Sequence, residues 1–169
     1  MLIYFLVIIA IFTLLIFSVN NAQQHWRYFA SNEFAQEREV YTKKVYALFE
    51  NYRQTENNVT AISIINSNCL CSQYFKAMQS SLSAYAVANV TLDLAHDKLT
   101  PAQLVLIPST PALLVLSKDY QHISYLGPHN NGYVCGEGTA MLDVVLSQLN
   151  TGINPQYLLL DHYGCFCPV

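Results

Sequence analysis

The sequence predicts an α/β fold behind an apolar amino-terminal helix, and three observations carry that reading. Residues 59–65 form a β-branched run that leads into Cys69-Leu70-Cys71, after which Phe75, Met78, Leu82 and Tyr85 recur at helical steps of three, four and three. Residues 88–94 and 112–116 repeat the strand pattern, and Met141, Leu142, Val145, Leu146 and Leu149 mark a last helix. The first residues, 1–19, carry no formal charge.

That charge-free run extends as far as Arg27, long enough for the roughly 20 apolar residues of a spanning helix. No Lys or Arg precedes it, and Val19-Asn20-Asn21-Ala22 is a poor cleavage site, so an uncleaved transmembrane anchor over 1–22 is expected rather than a removed signal peptide. Counting positive charges places Arg27, Arg38, Lys43 and Lys44 after the anchor and would keep the body in the cytoplasm. The clustered cysteines suit an oxidising compartment and outweigh that count. The expectation is a single-pass protein of the inner (cytoplasmic) membrane, touching the lipid bilayer through residues 1–22, with its soluble domain facing the periplasm.

From Trp26 to about Gln54 the chain has no Pro or Gly, and Phe34, Tyr41, Val45, Leu48 and Tyr52 fall on one helical face. A helical stalk over 23–54 is expected to leave the anchor and pack on the domain, with Asn57-Asn58 as its terminator. Too few clean heptads are present for a dimerising coiled coil. Residues 55–169 are then a single domain, since about 115 to 145 residues suffice for one core and not for two. A net charge of −3 without a basic run excludes nucleic acid as a partner.

Within the domain, 59–65 is the first strand and the helix after it starts near Cys71 or Ser72. Residues 88–94 are the second strand, and Thr100-Pro101 opens a helix or turn with Pro at its first position. Ser109-Thr110-Pro111 precedes the third strand at 112–116, a fourth follows at 121–126, and Gly127-Pro128 ends it. A Gly-rich loop over 131–138 contains Cys135 and leads to the last helix. Gly152 and Pro155 then break the chain before a tail that holds Tyr157, His162 and Cys165-Phe166-Cys167.

Five cysteines in this pattern point to thiol chemistry. A thiolate is the nucleophile, and a helix N-terminus lowers a cysteine pKa through its unpaired N–H groups and positive dipole end. Cys69 lies before the helix and Cys71 in its first turn, which makes Cys69 the attacker and Cys71 the resolving partner. A disulfide between the two closes a small, strained ring that is easily reduced. The apolar tail around Tyr157 is expected to dock on the domain. Docking either delivers Cys165 and Cys167 to the first dithiol as a relay, or leaves them in a small disulfide that stiffens the terminus. The odd cysteine count leaves one thiol without an intramolecular partner.

The order strand, cysteine-bearing turn, helix, strand, Thr-Pro, two strands and helix over residues 59–150 resembles the thioredoxin-like superfamily. The items that carry it are Cys69-Leu70-Cys71 at a helix start, Thr110-Pro111 before a strand, and a Gly-bearing loop after the fourth strand. The whole chain is similar to an uncharacterised group of membrane-anchored bacterial thioredoxin-fold proteins. The resemblance implies a central mixed sheet flanked by helices, a cis Pro111 facing the dithiol, and Thr110 presenting its backbone to a thiol substrate. It also implies that Cys135 lies within reach of the dithiol. The sequence departs from that family in having one residue, not two, between the cysteines, and Asn68 in place of an aromatic residue before the first.

The resulting expectation is a membrane-anchored thiol–disulfide oxidoreductase or isomerase acting on protein thiols or disulfides without a cofactor. Its catalytic group is Cys69, Cys71, Thr110, Pro111 and Cys135. A rival reading is copper or zinc binding through Cys69, Cys71, Cys165, Cys167 and His162. Against it, paired zinc cysteines usually stand two to four residues apart. A third is a non-catalytic envelope interaction module. His25 beside Trp26 reads as a membrane-interface pair, His122 as an exposed strand residue, and His96 and His129 as loop histidines. Asp93 is either a proton acceptor near the thiols or a solvent-facing strand residue.

Overall fold

The computed structural model describes residues 2–23, 25–30, 37–54, 59–72, 87–117, 119–129 and 140–169. Helix α1 (Leu2–Gln23) is followed by strand β1 (Trp26–Tyr28), helix α2 (Arg38–Phe49) and a 3-10 turn (Glu50–Tyr52). The rest comprises β2 (Val59–Ile65), β3 (Ala88–Asp93), α3 (Pro101–Leu106), β4 (Ser109–Thr110), β5 (Ala112–Ser117), β6 (Ile123–Gly127), α4 (Met141–Leu149), β7 (Tyr157–Leu158), β8 (Tyr163–Cys165) and β9 (Cys167–Pro168).

The expected fold class requires correction at its amino-terminal end. What stands is a mixed α/β fold around a five-stranded mixed sheet. No helix among the described residues is long and apolar enough to cross a membrane. The transmembrane anchor, the bilayer contact through 1–22 and the inner-membrane placement are therefore withdrawn. Nor is 23–54 a continuous helical stalk. Trp26–Tyr28 is a strand, and helix resumes only at Arg38. Trp, Tyr and Phe are strand formers, and the helical apolar spacing begins after them.

The sheet runs β3-β2-β5-β6-β7, with β2 parallel to β3, antiparallel to β5, β5 antiparallel to β6, and β6 parallel to β7. Its inner strands read as continuous apolar runs because both faces are covered. Ile62, Ile64, Leu114, Leu116 and Leu126 pack with Tyr41, Val45, Phe49, Leu106, Phe29 and Phe166 on one face. Ala61, Leu113, Val115 and Tyr125 pack with Met141, Leu142 and Val145 of α4 on the other. The Tyr41 hydroxyl donates to the Leu106 carbonyl at 2.6 Å, tying α2 to α3 inside the core.

The helix at Pro101 starts as its residues dictate. Thr100 accepts from the Gln103 backbone N–H, the Gln103 side chain accepts from the Thr100 N–H, and Pro101 occupies a position that needs no donor. The tail docks as expected. β7 adds an edge to the sheet, β8 pairs with β1, and β9 pairs with β4. The expected helix carrying Phe75 to Tyr85, the loop over 131–138, Phe34 and Asn57-Asn58 lie outside the described residues.

Candidate functional site

Strand β2 delivers the chain to a tight turn at 66–69. The Cys69 N–H donates to the Asn66 carbonyl at 2.8 Å, the Asn68 N–H to the Asn66 side chain at 3.1 Å, and the Ser72 N–H to the Cys69 carbonyl at 3.1 Å. Asp93, at the end of β3, accepts from the Ser67 N–H at 2.9 Å and from the Ala95 N–H at 3.1 Å. Partial burial opposes the charge of Asp93, but these hydrogen bonds and nearby His96 hold its carboxyl below the usual range. Asp93 therefore buttresses the dithiol turn. Within the turn Leu70 is 40% exposed while Cys69 and Cys71 are 5% and 1% exposed, so both sulfurs point inward.

They point at the tail. Cys69 is bonded to Cys167 and Cys71 to Cys165, with Cα separations of 6.2 and 5.6 Å, inside the normal disulfide range. Of the two alternatives for the tail, Cys165 and Cys167 are brought to the first dithiol and not closed on each other, and two nested cross-links between the clips stand in place of a small ring within Cys69-Leu70-Cys71. Antiparallel placement of the two clips brings the four sulfurs into one cluster, with Cys69, Cys71 and Cys167 buried and Cys165 partly buried.

Several interactions other than the disulfides hold the tail there. In the β1–β8 ladder Trp26 faces Cys165 and Tyr28 faces Tyr163. The Phe29 and Ala30 N–H groups donate to the His162 and Leu160 carbonyls at 2.7 and 2.8 Å, and the Phe166 N–H donates to the His25 carbonyl at 2.8 Å. Phe166, between the two tail cysteines, is buried edge-on against Phe29 with ring centroids 5.2 Å apart. On the far side, Ser109 and Thr110 pair with Pro168 and Cys167. The Thr110–Pro111 peptide is cis. Thr110 is therefore next to the cysteine cluster by strand pairing, and Pro111 follows it.

The histidine at the sulfurs is His25. Its Nδ1 lies 3.6 Å from the Cys167 Sγ, and the ligating atoms of His25, Cys71 and Cys167 all lie within 4.8 Å of one another. His162 instead lends its carbonyl to Phe29 and packs its ring on Phe166 at 6.2 Å. Sequence reading placed His25 at a membrane interface and missed this role. The signal was the strand-forming Trp26-Arg27-Tyr28 beside it, which needed a partner strand. His129 is not a solvated loop residue either. It is buried after β6, and burial pushes its imidazole down to about 3, against a backbone hydrogen bond at Ala112 that raises it. Cys135 lies outside the described residues.

Chemically, the cluster stores four oxidising equivalents in two disulfides packed side by side. Opening either one leaves a thiolate beside the other, the arrangement that exchange by attack on a disulfide sulfur requires. No curated protein and no solved structure matches the chain. Residues 35–169, which hold every cysteine of this cluster, match a family model, and the chain belongs to that family: Domain of unknown function (DUF6436).

Proposed function

We propose that this protein is a thiol–disulfide exchange protein that passes electron pairs between its nested disulfides and the cysteines of another protein. The carrying observation is the cross-pairing of the two Cys-x-Cys clips, Cys69 with Cys167 and Cys71 with Cys165. The resemblance of the dithiol turn and of Thr110–Pro111 to the thioredoxin-like superfamily supports it, as does the position of Cys167 opposite Thr110.

In the oxidising direction, a partner thiolate attacks the Cys69 sulfur, forming a mixed disulfide and releasing the Cys167 thiolate, which takes up a proton. The partner's second thiolate then attacks its own half of the mixed disulfide and Cys69 leaves as a thiolate. One partner dithiol becomes a disulfide and Cys69–Cys167 becomes two thiols, so two electrons and two protons move. Because Cys71–Cys165 is adjacent, the Cys167 thiolate can instead open it, passing the electron pair inward to the second disulfide. In the reverse direction Cys69 attacks a partner disulfide and Cys71 or Cys167 resolves it. The partners are protein thiols and disulfides, not nucleic acid, and the cysteines need no cofactor for this step.

Thiol trapping with mass mapping tests the reading, on the folded protein prepared without reductant and then exposed to a small dithiol. Exchange predicts rapid reduction of Cys69–Cys167 in the folded state and loss of reactivity toward protein disulfides in Cys69→Ser. Disulfides that open only when the protein unfolds are structural staples, and that result sinks the proposal.

A further inference from the structure

We propose that full reduction of the cluster creates a binding site for a thiophilic d10 cation, Zn(II) or Cu(I), with His25, Cys71 and Cys167 as its ligands. The inference rests on the exchange reading only in that the disulfides are what opens and closes the site. In the oxidised protein Cys71 and Cys167 belong to different disulfides, so the two sulfurs cannot ligate together until both bonds are reduced. Two equivalents of a dithiol reductant supply the four electrons and four protons, and the two ligating thiols lose their protons to solvent as the cation binds.

Geometry favours this set. The donor atoms lie within 4.8 Å of one another, and His25 Nδ1 to Cys167 Sγ is 3.6 Å. Zinc bonds of about 2.0–2.3 Å put tetrahedral donors roughly 3.3–3.8 Å apart, so one pair already fits and the remainder must close by about 1 Å. The objection that a Cys-x-Cys spacing is too tight for zinc does not apply, because the two sulfurs come from different clips. Imidazole plus thiolate is the donor set both ions prefer. Hydrogen bonds align them alongside the disulfides. His25 is fixed by its carbonyl's bond from Phe166, Cys167 by pairing with Thr110, and Cys71 by the turn that Asp93 buttresses.

The test uses the full chain, reduced by a phosphine under anaerobic conditions and titrated with Zn(II) and, separately, Cu(I) against a chromophoric chelator. Co(II) serves as a spectroscopic stand-in for zinc. The reduced protein is expected to bind one ion per chain with thiolate-to-cobalt charge-transfer bands, and the oxidised protein none. His25→Asn should weaken binding at least tenfold, while Cys69→Ser combined with Cys165→Ser should change it less than threefold. Circular dichroism checks that each variant is folded. Failure of the reduced protein to bind, or equal binding by His25→Asn, overturns the site. Binding lost in the Cys69→Ser and Cys165→Ser variant assigns it to the four cysteines and also overturns it. If the disulfides resist dithiols in the folded state, the exchange reading fails alone. The same titration on protein reduced in denaturant and refolded then decides the metal site independently.

Discussion

Thr110 faces Cys167 across the antiparallel pair of β4 and β9, so the residue before the cis proline is paired, backbone to backbone, with a cysteine whose sulfur is bonded to Cys69. The strand edge that could receive an incoming chain is already filled by this chain's own tail. Access to Cys69 is therefore linked to how firmly that tail is seated, and several measurable properties follow from the anchors that seat it.

Phe166 is one of these anchors. It sits between Cys165 and Cys167 and inserts into the core against Phe29. Phe166→Ala removes a buried ring, and a change of that type costs about 3–5 kcal/mol. Equilibrium denaturation should register the loss, and dithiol reduction of Cys69–Cys167 should speed up in parallel because the tail opens more often. An unchanged denaturation midpoint would show that the ring contributes nothing to seating the tail.

The two disulfides should be strongly non-additive. Cys69–Cys167 spans 98 residues of sequence and Cys71–Cys165 spans 94, one loop inside the other. Once either is closed, the other closes only a ring of a few residues. By loop entropy, removing one pair by double Ser substitution costs about 2 kcal/mol, whereas removing both costs about 7 kcal/mol. Denaturant midpoints of the two pair variants and of the fourfold variant measure this. Equal, additive losses would contradict the nesting argument.

His129 gives the fold an acid sensitivity with a defined window. Its folded pKa is pushed down to about 3 by burial, against an ordinary value of 6.5. Between those values the unfolded chain binds the proton and the folded chain does not, so stability falls as the pH drops below about 6.5 and levels off near 3. The slope from this group approaches about 1.4 kcal/mol per pH unit. His129→Gln should flatten the pH dependence of thermal unfolding in that window, and an identical slope would remove His129 as its source.

How much of this was readable from the sequence depends on how local each signal is. β2 was legible over Val59–Ile65 because a strand buried on both faces is a continuous β-branched run. The helix at Pro101 was legible because Thr100 and Pro101 are a self-contained start signal. α4 showed its buried stripe of Met141, Leu142 and Val145 directly. By contrast, β1 is three residues long and its partner β8 comes from the far end of the chain, so no local periodicity announces it. His25 was misread for the same reason. The cross-linking of the clips is likewise non-local, since cysteine spacing does not fix connectivity, and adjacency within Cys69-Leu70-Cys71 suggests a small ring where the bonds run to the tail instead. Residues 1–22 show the opposite failure, in which a local apolar, charge-free run suggests a membrane span, yet no helix among the described residues is long and apolar enough to cross one.

Gly127 ties the end of β6 to the seated tail through space rather than backbone conformation. A Cβ at this position would stand 2.7 Å from the Tyr125 hydroxyl oxygen and 2.8 Å from Leu159 Cβ. Neither atom can yield easily. Tyr125 is fully buried with its hydroxyl donating to the Pro128 carbonyl, and Leu159 follows β7, its N–H bonded to the Leu126 carbonyl at 2.9 Å. Gly127→Ala must therefore push β7 off the sheet edge or break the Tyr125 hydrogen bond, an overpacking cost of about 1–3 kcal/mol. Hydrogen exchange discriminates the two routes. Faster exchange at the Leu159 amide, together with quicker dithiol reduction of the tail disulfides, is the expected result, because displacing β7 loosens the segment that leads to Cys165. Loss of stability with unchanged Leu159 protection would place the strain at Tyr125 instead, and would uncouple the sheet edge from the cysteine cluster.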